Sequence, residues 1–324
     1  MFPVAISQLT TSRWELPVEI EHLADHGFDR ISLWSPKVSD LGTSAAAALL
    51  QRSGVRVSSL QWIGGFTGGD GRTFLEAVAD AAETIETAAA LAAPVVIVHS
   101  GSRGGHTRTH ARRLLVQALE RLAPTADAAG LSLALKPFHA SAAPDCSFLC
   151  DLPEALDIVR QVDHPAVGLA VDLWHFADCP EFRRLLPDLA EAAKVVHVAD
   201  RAGPPTADLE RLPAGHGGLP LEEAVLSLLE LGYTGDFEFD PAGEAVAALG
   251  YPRALAETRR TADAWRLAAA AALDWNPAPV RIAPDMPRTP SDSPAGRRLA
   301  WTGLQLRSAG SRRSQASNQV VSPG

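Results

Sequence analysis

The segment GLAVDLWH, residues 168–175, decides how the chain is read. A short apolar run ends in Asp172, and His175 follows three positions later, where it can turn back over the carboxylate. VVHVAD, residues 195–200, repeats the plan with His197 between Val196 and Val198. In a strand the side chains alternate, so His197 faces away from both valines. DFEFD, residues 236–240, sets Glu238 and Asp240 on one face and Phe237 and Phe239 on the other. LALKPFH, residues 133–139, carries its apolar run to Lys136 and stops at Pro137.

Working outward, eight such β-rich runs are found: Val4–Gln8, Arg30–Trp34, Val55–Trp62, Pro94–His99, Ser132–Pro137, Gly168–Asp172, Val195–Ala199 and Asp236–Asp240. Their starts lie 25 to 41 residues apart, the length of a strand plus one amphipathic helix. After the fourth run Leu114, Leu115, Ala118, Leu119, Leu122 and Ala126 recur at helical spacing, and Gly130 marks the end. The pattern predicts an α/β fold, a (β/α)8 TIM barrel over residues 1–275, with a last helix at about Arg253–Leu273. An open doubly wound sheet fits less well, because no GxGxxG follows the first run and no break divides the body. From residue 276 to 324 Pro, Ser, Arg and Gly take over, the composition of a disordered tail.

The 324 residues, 46% of them hydrophobic, are enough for a large core and exclude disorder as the main state. The net charge is −9; residues 276–324 carry seven Arg and two Asp, a net of +5, which leaves −14 for the body. An acidic body disfavours nucleic acid or an anionic membrane as the main partner. Three cysteines without CxxC spacing, no export signal and no long apolar span fit a cytoplasmic protein. Only three lysines occur, Lys37, Lys136 and Lys194, so each merits inspection.

In a barrel of this kind the active site lies at the C-terminal mouth of the strands. The run ends here offer Gln8, His99, Lys136 with His139, Asp172 with His175, His197 with Asp200, and Glu238 with Asp240. Asp with His suits a divalent ion or a substrate hydroxyl, while the bland alternative makes Asp172 a helix cap. Two inward acids require a cation, a base or water nearby, and Lys136 can supply the cation unless it snorkels to the surface. GGFTGGDG (64–71) lacks the GKS/T of a P-loop and reads as a lid or turn. His106 and His110 lack the Glu of HExxH, and no Ser sits in GxSxG.

These residues resemble the sugar phosphate isomerase/epimerase group, the xylose-isomerase-like TIM barrels, which also include, more distantly, endonuclease IV. The resemblance spans about residues 3–262 and rests on TSRWELPVEIEHLADHGFDRISLW, VSSLQWIGGF, LALKPFH, VDLWH, VVHVADR, RLPAGHGGLPL and GYTGDFEFD. It implies one divalent ion (Mn, Mg, Co or Zn) with ligands on the last four strands. Carried over, those ligands are Asp172, His197 and, with a shorter side chain, Asp240. The fifth-strand Glu of the group falls on Lys136, an ammonium with no lone pair to give. The resemblance also implies that Arg211, taken as a cation on a mobile loop, anchors substrate, and that His139 and Trp62 line the pocket.

The implied activity is isomerisation or epimerisation of a small sugar, polyol or sugar-derived acid by proton transfer beside a carbonyl. Lys136, Asp240 and His175 are the expected catalytic residues, with His99, Trp62, His139, Arg211 and Glu238 binding substrate. Lys136 is expected to sit among Asp172, Asp240 and Glu238 and to weaken the metal site. The alternative is a noncatalytic carbohydrate-binding or regulatory protein descended from such an enzyme. An endonuclease IV-like activity is disfavoured by the acidic body and the shortage of ligands. Homo-oligomerisation stays open.

Overall fold

A computed structural model describes residues 1–142 and 146–273. The expected tail, residues 276–324, lies outside the described residues. Eight parallel strands close into a barrel in sequence order: β1 (Val4–Ser7), β2 (Arg30–Trp34), β3 (Arg56–Gly64), β4 (Val95–His99), β5 (Ser132–Lys136), β6 (Val167–Asp172), β7 (Ala193–Val198) and β8 (Phe237–Phe239). Pairing of Ile6 with Phe239 shuts the ring. The expected eight βα units are therefore present. Several ends differ by one or two residues from the reading; among the candidate residues Gln8 and Asp240 fall just past their strands, although the Asp240 amide still donates to the Val198 carbonyl at 3.1 Å.

The strand period sorts residues into two environments. Val95 and Ile97 on β4, Ala134 on β5, Ala170 on β6 and Val195 on β7 form a small apolar cluster inside the barrel. Two residues on from Ile97, Ala134, Ala170 and Val195 come His99, Lys136, Asp172 and His197, so the apolar cluster is the floor beneath a polar layer. Register fixes the level: His99 pairs with Lys136, Asp172 with His197, and His197 with Glu238. The intervening residues face out to the helices. Phe239 lies 5.8 Å from Trp265 of the last helix, Tyr251–Leu273, and Phe237 lies 5.0 Å from Phe2.

The helices follow their sequence signals. Thr73 and Glu76 form a capping box at the start of helix Phe74–Ala90, each satisfying the other's backbone N–H. In helix Arg108–Ala128 the buried stripe includes Ala111, Leu115, Ala118, Leu119, Leu122 and Ala126, whereas Leu114 is only half-buried. Gly130, at φ 72°, follows in the left-handed region where a Cβ is strained. Among the described residues no helix is long and apolar enough to cross a membrane, and no disulfide joins Cys146, Cys150 and Cys179.

Candidate active site

Asp172 sits at the centre of the mouth and is completely buried. It caps a helix and also faces two cations of the protein. Its Oδ1 caps the short helix Leu173–Phe176 by accepting from the Trp174 amide at 3.0 Å. Both of its oxygens also face cations: Arg211 Nη2 donates to Oδ1 at 2.9 Å and to Oδ2 at 3.1 Å, and Lys136 Nζ lies 2.8 Å from Oδ2. Burial by itself would raise the Asp172 pKa; Arg211 first, then Lys136, override it and hold the carboxyl well below its usual range.

Lys136 points inward rather than snorkelling. Its ammonium lies 2.8 Å from His197 Nδ1, so its partners are Asp172 and His197; the expected contacts with Asp240 and Glu238 are not made. An ammonium only donates, so Nδ1 must accept and the ring proton is assigned to Nε2. That nitrogen approaches Glu238 Oε2 at 3.2 Å, off the line of a good hydrogen bond. Glu238 Oε1 accepts from Ser58 Oγ at 2.6 Å. Burial opposes its ionisation, but His197 and then Ser58 draw its pKa below the ordinary value. Glu238 and Asp240 stand two positions apart on one face, so Glu238 lies a layer deeper than Asp240, in register with His197.

Arg211 departs most from the sequence reading. It is buried, and its backbone exchanges hydrogen bonds of 2.9 and 2.8 Å with Ala242. Its Nη2 bridges Asp172 and Asp240, reaching Asp240 Oδ1 at 2.8 Å, while its guanidinium lies 5.2 Å from the Trp174 ring centroid. Asp200 explains why the segment is held. Its carboxylate accepts from the amides of Arg201, Gly215, Gly217 and Leu219 at 2.8–3.0 Å, and its backbone pairs with Leu212. A Cβ on Gly217 would sit 2.3 Å from Asp200 Oδ1, so glycine is required there. The cue was available in the sequence, an acid after β7 followed by spaced glycines, but Asp200 was read only as a companion of His197.

On the other side the mouth is aromatic. Trp62 stacks on His99 with centroids 4.8 Å apart, His99 meets Phe138 edge-on at 5.0 Å, and Phe138 lies 4.8 Å from His175. Phe138, missed in the sequence reading, thus links the two imidazoles. His175 Nδ1 accepts from the His139 amide at 3.2 Å. The Nε2 atoms of His99 and His175 are buried without a hydrogen-bond partner. Burial, the largest effect, pushes both imidazoles well below the usual histidine range, so they stay neutral near pH 7. Neutral imidazoles with an open ring nitrogen suit hydroxyl groups, as donor or acceptor. The half-buried His139 ring lies 6.5 Å from Phe176.

By position, Asp172, His197 and Asp240 could hold a metal ion, since one donor atom from each falls within a 4.8 Å cluster. His197 Nδ1 lies 4.0 Å from Asp172 Oδ2 and 3.6 Å from Asp240 Oδ2. Each of the three side chains, however, already faces a cation of the protein.

A closed parallel barrel with carboxylates, imidazoles and a lysine gathered at its C-terminal mouth defines a TIM-barrel protein whose polar cluster lies where such barrels carry their active sites. Residues 20–266 match the family described as xylose isomerase-like TIM barrel, and the chain belongs to that family. Among solved structures it is similar to protein SMc04130 from Sinorhizobium meliloti 1021, with 24% identity and a TM-score of 0.75 over 81% of this chain and 97% of that one. It also resembles an IolI protein with a bound zinc atom (20% identity, TM-score 0.71, covering 82% of this chain and 98% of that one). A third is D-psicose 3-epimerase with D-tagatose from Clostridium cellulolyticum H10, at 16% identity and a TM-score of 0.67, covering 82% of this chain and 99% of that one. No curated protein sequence matches.

Proposed function

We propose that the chain is an isomerase or epimerase acting on a small sugar, polyol or sugar-derived acid by moving a proton at the carbon beside a carbonyl. One observation carries the reading: Lys136 Nζ and Asp240 Oδ2 lie 2.8 and 3.6 Å from the same atom, His197 Nδ1, and so form an acid and base pair across one ring nitrogen. Lys136 has three N–H donors and spends two, on Asp172 and His197, which leaves one for a substrate oxygen. Asp240 takes the carbon-bound proton. The electron pair moves to the carbonyl oxygen, where Lys136 and Arg211 meet the developing negative charge, and the proton returns to a carbon to complete the reaction. His175 and His99 bind neighbouring hydroxyls through Nε2, with Trp62 and His139 beside them. Glu238 orients His197 from the neighbouring strand, facing its Nε2. The sugar epimerase among the similar structures supports the substrate class.

The reading is tested by incubating the protein in D2O with a panel of aldoses, ketoses and keto-polyols and following the proton beside the carbonyl by NMR. At least one compound exchanges with wild type, and Lys136→Met and Asp240→Asn abolish that exchange. Tight binding of a sugar with no exchange across the panel would favour the noncatalytic binding protein instead, a reading suggested by the saturated carboxylate of Asp172.

A further inference from the structure

The metal position that the family resemblance implies is faced in this chain by two cations of the protein, Lys136 and Arg211. We propose, on the basis of the isomerase reading, that Lys136 and Arg211 together replace a resident divalent ion, so that the site works without metal and meets substrate oxygens with protein N–H groups. The donor set does not fit such an ion. A ligand atom must offer a lone pair, yet Asp172 Oδ2 and His197 Nδ1 each face Lys136 Nζ at 2.8 Å, and Asp240 Oδ1 accepts from Arg211 Nη2 at 2.8 Å. Asp172 Oδ1 is taken twice, by Arg211 and by the Trp174 amide.

Charge points the same way. Lys136 and Arg211 contribute one positive charge each, which together equal the charge of a divalent ion. Asp172, Asp240 and Glu238 are the acids that face the cluster; adding an ion would pit four positive charges, before any from His197, against three negative ones in a site removed from water. A guanidinium does not give up its proton to make room, and Asp172 and Asp240 raise the Arg211 pKa further despite burial. Nor can Arg211 readily swing away. Its backbone is paired with Ala242, and its Nε donates to the Asp240 carbonyl at 3.3 Å. Lysine at the fifth-strand position is therefore half of the replacement and Arg211 the other half. Restoring a carboxylate at position 136 still leaves Arg211 bridging two of the ligands.

The test is titration of the full-length, chelator-treated protein with Co(II), read by calorimetry and visible absorption, for wild type, Lys136→Glu and Lys136→Glu/Arg211→Met. Wild type binds more weakly than about 100 μM, Lys136→Glu binds at least about tenfold tighter, equivalent to about 1.4 kcal/mol, and the double variant binds tighter again. Wild-type binding of one ion tighter than about 100 μM overturns the proposal, as does a folded double variant that binds no tighter than wild type. If circular dichroism shows that the variants do not fold, the wild-type titration decides alone. No sugar enters the measurement, so a failed exchange assay counts against the isomerase reading and leaves this result standing.

Discussion

Two buried lysines pair with carboxylates near the mouth of the barrel, and they differ in how completely they are satisfied. Lys37, in helix Ser35–Leu41, directs its three donors to Glu19 and to the carbonyls of Gln8 (3.2 Å) and Thr11 (2.8 Å). Glu19 in turn accepts from Gln8 and Thr11, so that cluster is closed. Lys136 uses two donors and keeps one, and the imidazoles of His99 and His175 nearby each hold an unpartnered Nε2. Both clusters hold a buried lysine against a buried carboxylate. Unspent hydrogen-bonding capacity separates them, and it is the ground on which the second is proposed as the ligand site.

The largest effect is expected in the closed cluster. Glu19→Leu or Lys37→Met alone leaves a buried charge without its partner and lowers unfolding free energy by about 3–5 kcal/mol, while the double substitution recovers most of the loss. Urea denaturation measures it; single variants within about 1 kcal/mol of wild type would remove the distinction. Arg211→Ala comes next. Because Arg211 is a buried bridge and not a mobile loop cation, its loss should lower stability by about 2–4 kcal/mol as well as abolish sugar binding. A variant with wild-type stability and weakened binding would return Arg211 to the loop role.

His99→Phe should separate ligand from fold. The substitution keeps the aromatic stacking on Trp62 and removes both ring nitrogens, the unpartnered Nε2 among them, so stability stays within about 1 kcal/mol and sugar affinity falls about tenfold or more. Calorimetric binding with the exchanging sugar reads this, and unchanged affinity would take His99 out of the site. The smallest effect is a difference of slope with pH. Asp172 has a depressed folded pKa, so its contribution is present above its unfolded value near 4 and is lost as pH falls through the folded one. Glu19 is shifted upward by burial, against the pull of Lys37, so its contribution is present below about 4 and is lost as pH rises through the folded value. Stability differences between wild type and Asp172→Asn should therefore shrink in acid, and those for Glu19→Gln should grow. Parallel slopes would contradict the assignment.

The eight-strand barrel was legible because the runs were apolar, short and separated by the length of a helix; strand parity placed His197, Glu238 and Asp240 inside it, and Lys136 and Asp172 stood out as run ends. What parity cannot convey is which inward atoms satisfy one another. Asp172 looked like either a cap or a site residue; its Oδ1 accepts from the Trp174 amide while its Oδ2 meets Lys136, and Arg211 reaches both oxygens. Arg211 was placed on a mobile loop because nothing local signals its burial. The bridge it makes depends on Asp172, 39 residues away, and on a loop pinned by Asp200. Lys37 drew attention as a rare lysine, yet its pairing with Glu19 is a tertiary event with no periodic trace.

The central claim is that the open cluster around Lys136 performs proton transfer with protein cations alone. The direct measurement is the deuterium exchange rate beside the carbonyl of the active sugar, taken with protein freed of metal by chelator and again after adding Mn or Co. Equal rates in the two samples, both lost in Lys136→Met, are the expected result. Exchange that vanishes on chelation and returns with the ion would contradict it.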